Sequence, residues 1–541
     1  MPRKPNPNLL TIAFLATSAA LSVALLAMRN LYDDEISALE LVSRPVASIV
    51  RACSQAGVHP PGMYLLAHLA YSVVPSFRWM NLLPCLFAYT GLAVFLRDIA
   101  PPFTHARSQL CLLLLATLHP QLLLWSTTFR WYSWWTGLAL ITLTIALQPR
   151  HPRPTFGAAR ALMLAFLLAC LFYLNYITLL FVLALAVAML ARYQPRKCLL
   201  LPALLTLGAF TALIAPQLHT MIAVHLPNSD DQRFNLISSF LRLLESVAAS
   251  EAYLPWHPLA ILSSLLFAAL SVLGLIALLH LIRRDPAATR TAFASLLLFG
   301  LIFFLFVAVS GLGGKPRNGL LLIPVLAPAA AFIVGTLRQR MQNAILIFFA
   351  LWSAVGVAHI LGRYGLAKAS MNDRPEQVVA FVGQTAGPGC AVVVTYDTGL
   401  TFALAQANLP RTLIVSPVLR PIFGESQPLP TADCSDTRLY AVESYLGASD
   451  PETQAALTRE FESITSLIQG PPRTDSFSFD PDAPRKRTLA RIPGLGGDLA
   501  SAAALPDYRY VVTSGPIDPA AVEPMRRRMP DFSSDEAPST P

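Results

Sequence analysis

Three carboxylates stand side by side in "LYDDEISALE" (residues 31–40), directly after a long apolar run. Asp33, Asp34 and Glu35 are residue types that do proton chemistry. A positioned carboxylate takes the proton of an attacking hydroxyl or amine as the new bond forms. The same acids could instead cap a helix that begins there, because carboxylates suit the free N–H groups of a first turn. Carboxylates are costly beside hydrocarbon, so their presence here calls for one use or the other. Adjacent acids could also hold a metal, but no further ligand cluster is visible in the sequence.

The elements that must position these acids are read from composition. With 54% hydrophobic and 13% charged residues over 541 positions, the chain is too apolar for an ordinary soluble protein. A helix needs about 20 apolar residues to cross a bilayer. Such runs recur near 8–28, 78–97, 108–127, 130–148, 159–175, 176–192, 199–216, 257–282, 291–310, 317–336 and 344–362. The expected fold is a polytopic α-helical membrane protein with about eleven spans. Residues 59–75 have an apolar part of about 15 residues, short for a span, and read as an interfacial or re-entrant helix. Counting such segments as spans would raise the number to twelve or thirteen. Arg3 and Lys4 precede the first run as in a signal peptide, but no small-residue cleavage site follows, so it reads as an uncleaved span.

Charge sets the orientation. Residues 1–362 hold 24 of the 40 Lys and Arg but only 10 of the 31 Asp and Glu. The basic connectors around Arg150/Arg153/Arg160, Arg192/Arg196/Lys197, Arg283/Arg284/Arg290 and Arg338/Arg340 mark cytoplasmic loops, which puts the N-terminus inside and the C-terminus outside. The net charge of +9 therefore belongs to the membrane half and is no sign of nucleic-acid binding. Eight of those ten acids fall in two long outer loops, 29–77 and 217–256, and long loops are where sites are built. Within the first loop, Ile36, Leu39, Val42, Val46, Ile49 and Val50 keep helical spacing on either side of Pro45, as in amphipathic helices on a membrane surface.

Beyond Gly362 the pattern changes. "CAVVVTYD", "RTLIVSP", "RLYAVES" and "YRYVVTSG" read as strands, and "PEQVVAFVGQTA" and "DPETQAALTREFESITSLI" as helices. The expected organisation is a transmembrane domain over 1–362, a small extracytoplasmic α/β accessory domain over 363–515, and a disordered tail over 516–541. Cys390 and Cys434 could pair in an oxidising compartment. Cys85, Cys111, Cys170 and Cys198 lie in or beside apolar spans and read as small hydrophobes.

Taken in order, several stretches resemble one known family. "YDDEISALELV" is followed by "HPPGMYLLAHLAY"; then come "LHPQLLLWSTTFRWYSWWTGLALITLTIAL" (118–147), "YLNYITLLFVLALAVAML" and "GKPRNGLLLIPVLAPAAAFIV". This order is similar to the polyprenyl-phosphate-sugar-dependent glycosyltransferases of the GT-C fold. These are the protein O-mannosyltransferase and aminoarabinose-transferase relatives of glycosyltransferase family 39. In that family an Asp-Glu pair follows the first span and a "HPP" or "KPP" segment precedes a short helix. The likeness covers most of 1–340. It departs at Asn175, where the family often has a His, and in the extra acid Asp33.

The resemblance implies transfer of a sugar from a polyprenyl-phosphate donor to a lipid, glycan or protein acceptor at the outer face. By alignment with the family pair, Asp34 is the expected base and Glu35 orients it or the acceptor. The leaving phosphate needs cations, and arginine bonds phosphate oxygens in pairs. Arg317 and Arg130 match family positions at outer span ends, and His59 fills the "HPP" position as a contact to phosphate or acceptor. Each has a plainer reading: an arginine at a span end reaches headgroups, and a His before two prolines enters a helix. Trp131, Trp134 and Trp135 read as an interfacial belt rather than a sugar platform. "GLGGK" lacks the Gly-Lys-Ser/Thr of a phosphate loop. No cofactor is called for, and metal dependence is left open, since arginines can neutralise a leaving monophosphate. Ala-, Leu-, Arg- and Pro-rich usage suits a bacterial inner membrane. The competing readings are a transporter or lipid flippase and a non-catalytic scaffold. A transporter would place its charges halfway across the spans rather than at their ends.

Overall fold

The structure is a computed structural model. It describes residues 7–28, 33–55, 60–73, 77–148 apart from 101, 102 and 104, 156–193, 197–222, 258–284, 288–310 and 316–361. In the C-terminal part it describes 375–416 apart from 387, 388 and 408, then 436–445, 451–479, and 508–525 apart from 523; isolated positions between 240 and 250 are also described. The chain forms two compact units. One comprises residues 1–28 and 44–365; the other comprises 29–43 and 366–541.

The described elements of the first unit are all helices. Each of the eleven expected spans has its helix: Pro7–Met28, Phe77–Ile99, Ala106–Thr117 continued by Pro120–Ser126, Trp131–Leu147, Ala158–Leu174, Thr178–Arg192, Lys197–Thr220, Pro258–Arg284, Ala288–Val309, Leu322–Thr336 and Gln339–Leu361. Among the described residues five helices are long and apolar enough to cross a bilayer unaided. The stretch predicted to be short of a span is the twelve-residue helix Gly62–Val73.

Backbones approach where side chains are smallest, as in other helix packings within membranes. A β-carbon on Gly137 would run into the carbonyl of Phe87, and one on Gly91 into the carbonyl of Gly137. These contacts draw Phe77–Ile99 and Trp131–Leu147 together. Polar contacts fix the first helix. Ser22 bonds the Tyr89 hydroxyl at 2.8 Å and Ser126 Oγ at 3.1 Å, all buried. At its other end, Trp131–Leu147 is closed by Gln148 in the left-handed region (φ 44°). Arg192 donates from Nε to the Leu147 carbonyl at 3.0 Å, satisfying a helix-end carbonyl.

The second unit is a five-stranded sheet in the order β2-β1-β3-β5-β4, with β1 Cys390–Thr395, β2 Thr412–Val415, β3 Thr437–Tyr445, β4 Arg473–Phe479 and β5 Tyr508–Pro516. β1 runs parallel to β2 and β3, whereas β5 runs antiparallel to β3 and β4. Alternate residues serve opposite faces. Ala391, Val393, Tyr440 and Val512 pack against Val378, Val382, Leu400 and Leu404 of the helices Pro375–Thr385 and Thr398–Ala407. Val392, Val394, Leu439 and Leu413 meet Phe461 and Ile464 of Pro451–Thr465 on the other face.

Two features differ from expectation. β4 (RTDSFSF) has too little apolar character to read as a strand; its backbone pairing with β5 makes it one. The ordered part also runs past the boundary expected at 515. β5 ends at Pro516, a short 3-10 turn follows at Pro519–Ala521, and Val522 and Met525 are buried against the sheet.

Candidate functional site

The two arginines predicted to serve a phosphate both lie in the membrane unit, Arg317 over the ring of Tyr132 and Arg130 two positions before Tyr132 in the chain. Between the helices Pro120–Ser126 and Trp131–Leu147 the chain turns sharply, and hydroxyls take the carbonyls that the first helix leaves open. Thr127 Oγ1 donates to Leu124 O and Thr128 Oγ1 to Trp125 O, each at 2.8 Å, while Ser133 Oγ donates to Trp125 O at 2.6 Å. Arg130 is the extended N-cap residue of the second helix. At 8% exposure it is turned into the protein rather than outward to headgroups. Arg317 lies in a 3-10 turn, Pro316–Gly319. Its Cζ sits 5.3 Å from the ring centre of Trp125 and 5.2 Å from that of Tyr132, within range for attraction between a cation and two aromatic faces.

The turn carrying Arg317 reaches this place because Gly319 permits it. A β-carbon there would come within 2.7 Å of Leu243 Cδ1 and 3.0 Å of Val247 Cγ2. The same segment is tied to the interrupted span. His119, wholly buried, accepts the Gln121 N–H at Nδ1 (3.2 Å), which leaves the proton on Nε2 to donate to the Val247 carbonyl at 3.0 Å. The imidazole also packs edge-on against Trp352 with ring centres 4.7 Å apart. Ser250 Oγ donates to Gln121 Oε1 at 3.1 Å.

The three tryptophans do not form the expected interfacial belt. Trp131, Trp134 and Trp135 are each at most 5% exposed. Trp135 donates its indole N–H to Thr178 Oγ1 at 2.8 Å and stacks on Phe303. They are interior residues: Trp131 packs against Tyr132 with ring centres 4.4 Å apart, and Trp134 meets Phe87 at 4.8 Å. Nothing local in the sequence links position 317 to positions 125 and 132, so Trp125 and Tyr132 are not legible there as partners of Arg317.

The acids belong to the other unit. Asp33, Asp34 and Glu35 form the first turn of the helix Asp33–Ser43, where their charges suit the helix dipole. For Asp33 and Asp34 the structure describes only the backbone; Glu35 is fully buried. Ala38, Leu39 and Val42 are buried as well, on the same helical stripe. This helix packs on Thr398–Ala407 of the sheet domain, so its apolar face is covered by protein and not laid on a membrane surface. His59 lies outside the described residues. Among the described residues of the membrane unit, the buried arginines are Arg130 and Arg192, both at helix ends. No group of three or more His, Cys, Asp or Glu among the described residues is placed to hold a metal.

The arrangement matches a solved structure over nearly its whole length. ArnT from Cupriavidus metallidurans in the apo state aligns over 93% of this chain and 97% of that one, with a TM-score of 0.50 and 15% identity. The chain has the GT-C fold. ArnT bound to undecaprenyl phosphate aligns over the same shares, at a TM-score of 0.48 and 15% identity. The oligosaccharyltransferase of Archaeoglobus fulgidus, tethered to an acceptor peptide, aligns over 75% of this chain and 64% of that one, at a TM-score of 0.43 and 11% identity. No family model and no curated protein matches the sequence. The GT-C architecture thus agrees with the expected polytopic helical class and small C-terminal sheet domain.

Proposed function

We propose that this integral membrane protein is a glycosyltransferase that moves a sugar from a polyprenyl-phosphate donor to an acceptor at the extracytoplasmic face. The observation that carries the reading is the pair of cations at helix ends: Arg317 held over Trp125 and Tyr132, with Arg130 two residues from Tyr132. In transfer, the acceptor oxygen or nitrogen bonds the anomeric carbon, and the bond from that carbon to the phosphate oxygen breaks. The departing polyprenyl phosphate keeps the electron pair, and two guanidinium groups stabilise that charge without a proton. His59 is a further contact to phosphate or acceptor.

Asp34 serves as the base that takes the acceptor's proton, and Asp33 stands beside it in the same first turn. Glu35, fully buried, holds the helix and so orients its neighbour. The sheet domain is then more than an accessory that meets acceptors: it carries the acidic helix on Thr398–Ala407. An extracytoplasmic position for this domain is supported by Cys390, which is disulfide-bonded, since disulfides persist in oxidising compartments. A bacterial inner membrane is the setting that fits.

The test is sugar transfer from a panel of radiolabelled polyprenyl-phosphate sugars by the purified protein, with Asp34→Asn, Arg317→Gln and an Arg44→Gln control. Loss of transfer in the first two alone supports the reading. Full activity in Arg317→Gln removes its main support. Full activity in Asp34→Asn alone moves the base to Asp33 or Glu35.

A further inference from the structure

The turn that carries Arg317 is pressed by a segment far from it in the chain. Leu243 and Val247, four positions apart with helical backbone, are buried against Gly319 and leave no room for a β-carbon there. That segment is fastened in turn to the interrupted span. The Val247 carbonyl accepts the His119 Nε2–H at 3.0 Å, and Ser250 Oγ donates to Gln121 Oε1 at 3.1 Å. His119, Gln121, Val247 and Ser250 are each at most 2% exposed. Ser250 also has φ 79°, a left-handed conformation that a side-chain-bearing residue keeps only where its surroundings impose it.

These contacts close into a ring. From His119 the ring runs to Val247, from Val247 to Gly319, and from there two residues back to Arg317. The Arg317 guanidinium lies over Trp125, which stands in the same short helix, Pro120–Ser126, that His119 caps. The choice of residue at the cap is informative. Asn, Asp or Ser would cap as well or better, but those shorter side chains present no second nitrogen so far from the backbone. His119 uses one nitrogen for the cap and the other for Val247.

We infer that His119 is a positioning residue for Arg317. Its Nε2–H fixes Val247, Val247 fixes the turn at Gly319, and that turn sets where the guanidinium meets the phosphate of the polyprenyl donor. The inference rests on the role given to Arg317 under the proposed function and extends it to a residue that touches neither donor nor acceptor.

Binding of radiolabelled undecaprenyl phosphate to the full chain in detergent tests it. Glutamine puts its amide nitrogen near the place of Nε2, keeping the bond to Val247 and losing the cap. Asparagine keeps the cap and falls short of Val247. His119→Gln should therefore bind the lipid like the wild type, and His119→Asn about tenfold more weakly. The double variant His119→Asn/Arg317→Gln should bind no more weakly than Arg317→Gln alone, because the imidazole acts only through that guanidinium. A role confined to the cap predicts the reverse order for the two His119 variants. Equal binding by them, or losses that add in the double variant, would overturn the positioning role and leave Arg317 as the phosphate contact. Arg317→Gln that binds like the wild type would instead remove the role of Arg317 itself, and the inference with it. If His119→Asn does not fold, Ser250→Ala, which unties the segment at Gln121, is read against Arg317→Gln in the same cycle.

Discussion

The guanidinium of Arg317 lies 5.2 Å from the ring centre of Tyr132, bringing together residues 185 positions apart in the chain. The ring face attracts the cation and leaves its N–H groups in the plane of the fork, where phosphate oxygens are bonded. Tyr132→Leu removes one of two aromatic faces, each worth about 0.5–2 kcal/mol, and should weaken donor binding by roughly 2- to 30-fold. Tyr132→Phe keeps the face and should cost little. Arg317→Gln should lower turnover by about 100-fold or more. A KM series over the three variants separates these outcomes; equal losses in Tyr132→Phe and Tyr132→Leu would point to the hydroxyl instead.

The acidic helix makes a prediction that divides chemistry from architecture. Asp34→Asn should abolish transfer and leave the thermal midpoint unchanged. Glu35→Ala should lower that midpoint, because Glu35 is fully buried and engaged and its partner would lose about 1–3 kcal/mol. Differential scanning fluorimetry beside the transfer assay reads both. A Glu35→Ala protein that melts like wild type would refute the anchoring role.

His119 holds the interrupted span by three contacts: the Gln121 N–H, the Val247 carbonyl and the Trp352 ring. His119→Ala should destabilise the membrane unit by about 2–4 kcal/mol, combining a lost cap with an unpaired buried carbonyl. His119→Asn retains the cap and should recover part of the loss. The check is thermal unfolding in detergent, with the two variants compared directly.

Gly137→Ala should be damaging for a different reason. The added methyl would meet the Phe87 carbonyl, and the two helices would have to part. Overpacking of this kind costs about 1–3 kcal/mol. Gly157→Ala, at a position with nothing within 4 Å of the added carbon, serves as the control. Comparable melting of the two would argue against the close approach.

Thiol labelling tests the disulfide. In unreduced membranes, Cys390 should resist a maleimide and become reactive after reduction, followed by unfolding. Burial pushes the Cys53 thiol up to about 11, so at pH 7.5 it is protonated and should label slowly in both states. Rapid labelling of Cys390 without reductant would contradict an oxidised domain.

Much of this molecule was legible in the sequence because its determinants are local. A run of about 20 apolar residues is a span wherever it occurs, and all eleven runs became helices. Short runs of β-branched apolar residues in "CAVVVT" and "TLIV" were enough to read β1 and β2. The acids after the first span and the arginines at later span ends could be picked out by type and place, and the order of motifs pointed to the GT-C fold. What only the tertiary structure decided are the meetings of distant residues. That Arg317 rests on Trp125 and Tyr132, that the tryptophans face inward, and that Asp33–Ser43 belongs with the sheet domain all depend on packing between segments separated by tens to hundreds of residues. β4, with only Phe477 and Phe479 apolar among its seven residues, likewise owes its strand to backbone pairing with β5. Periodicity records which face of an element is apolar; which partner covers that face is set by the fold as a whole.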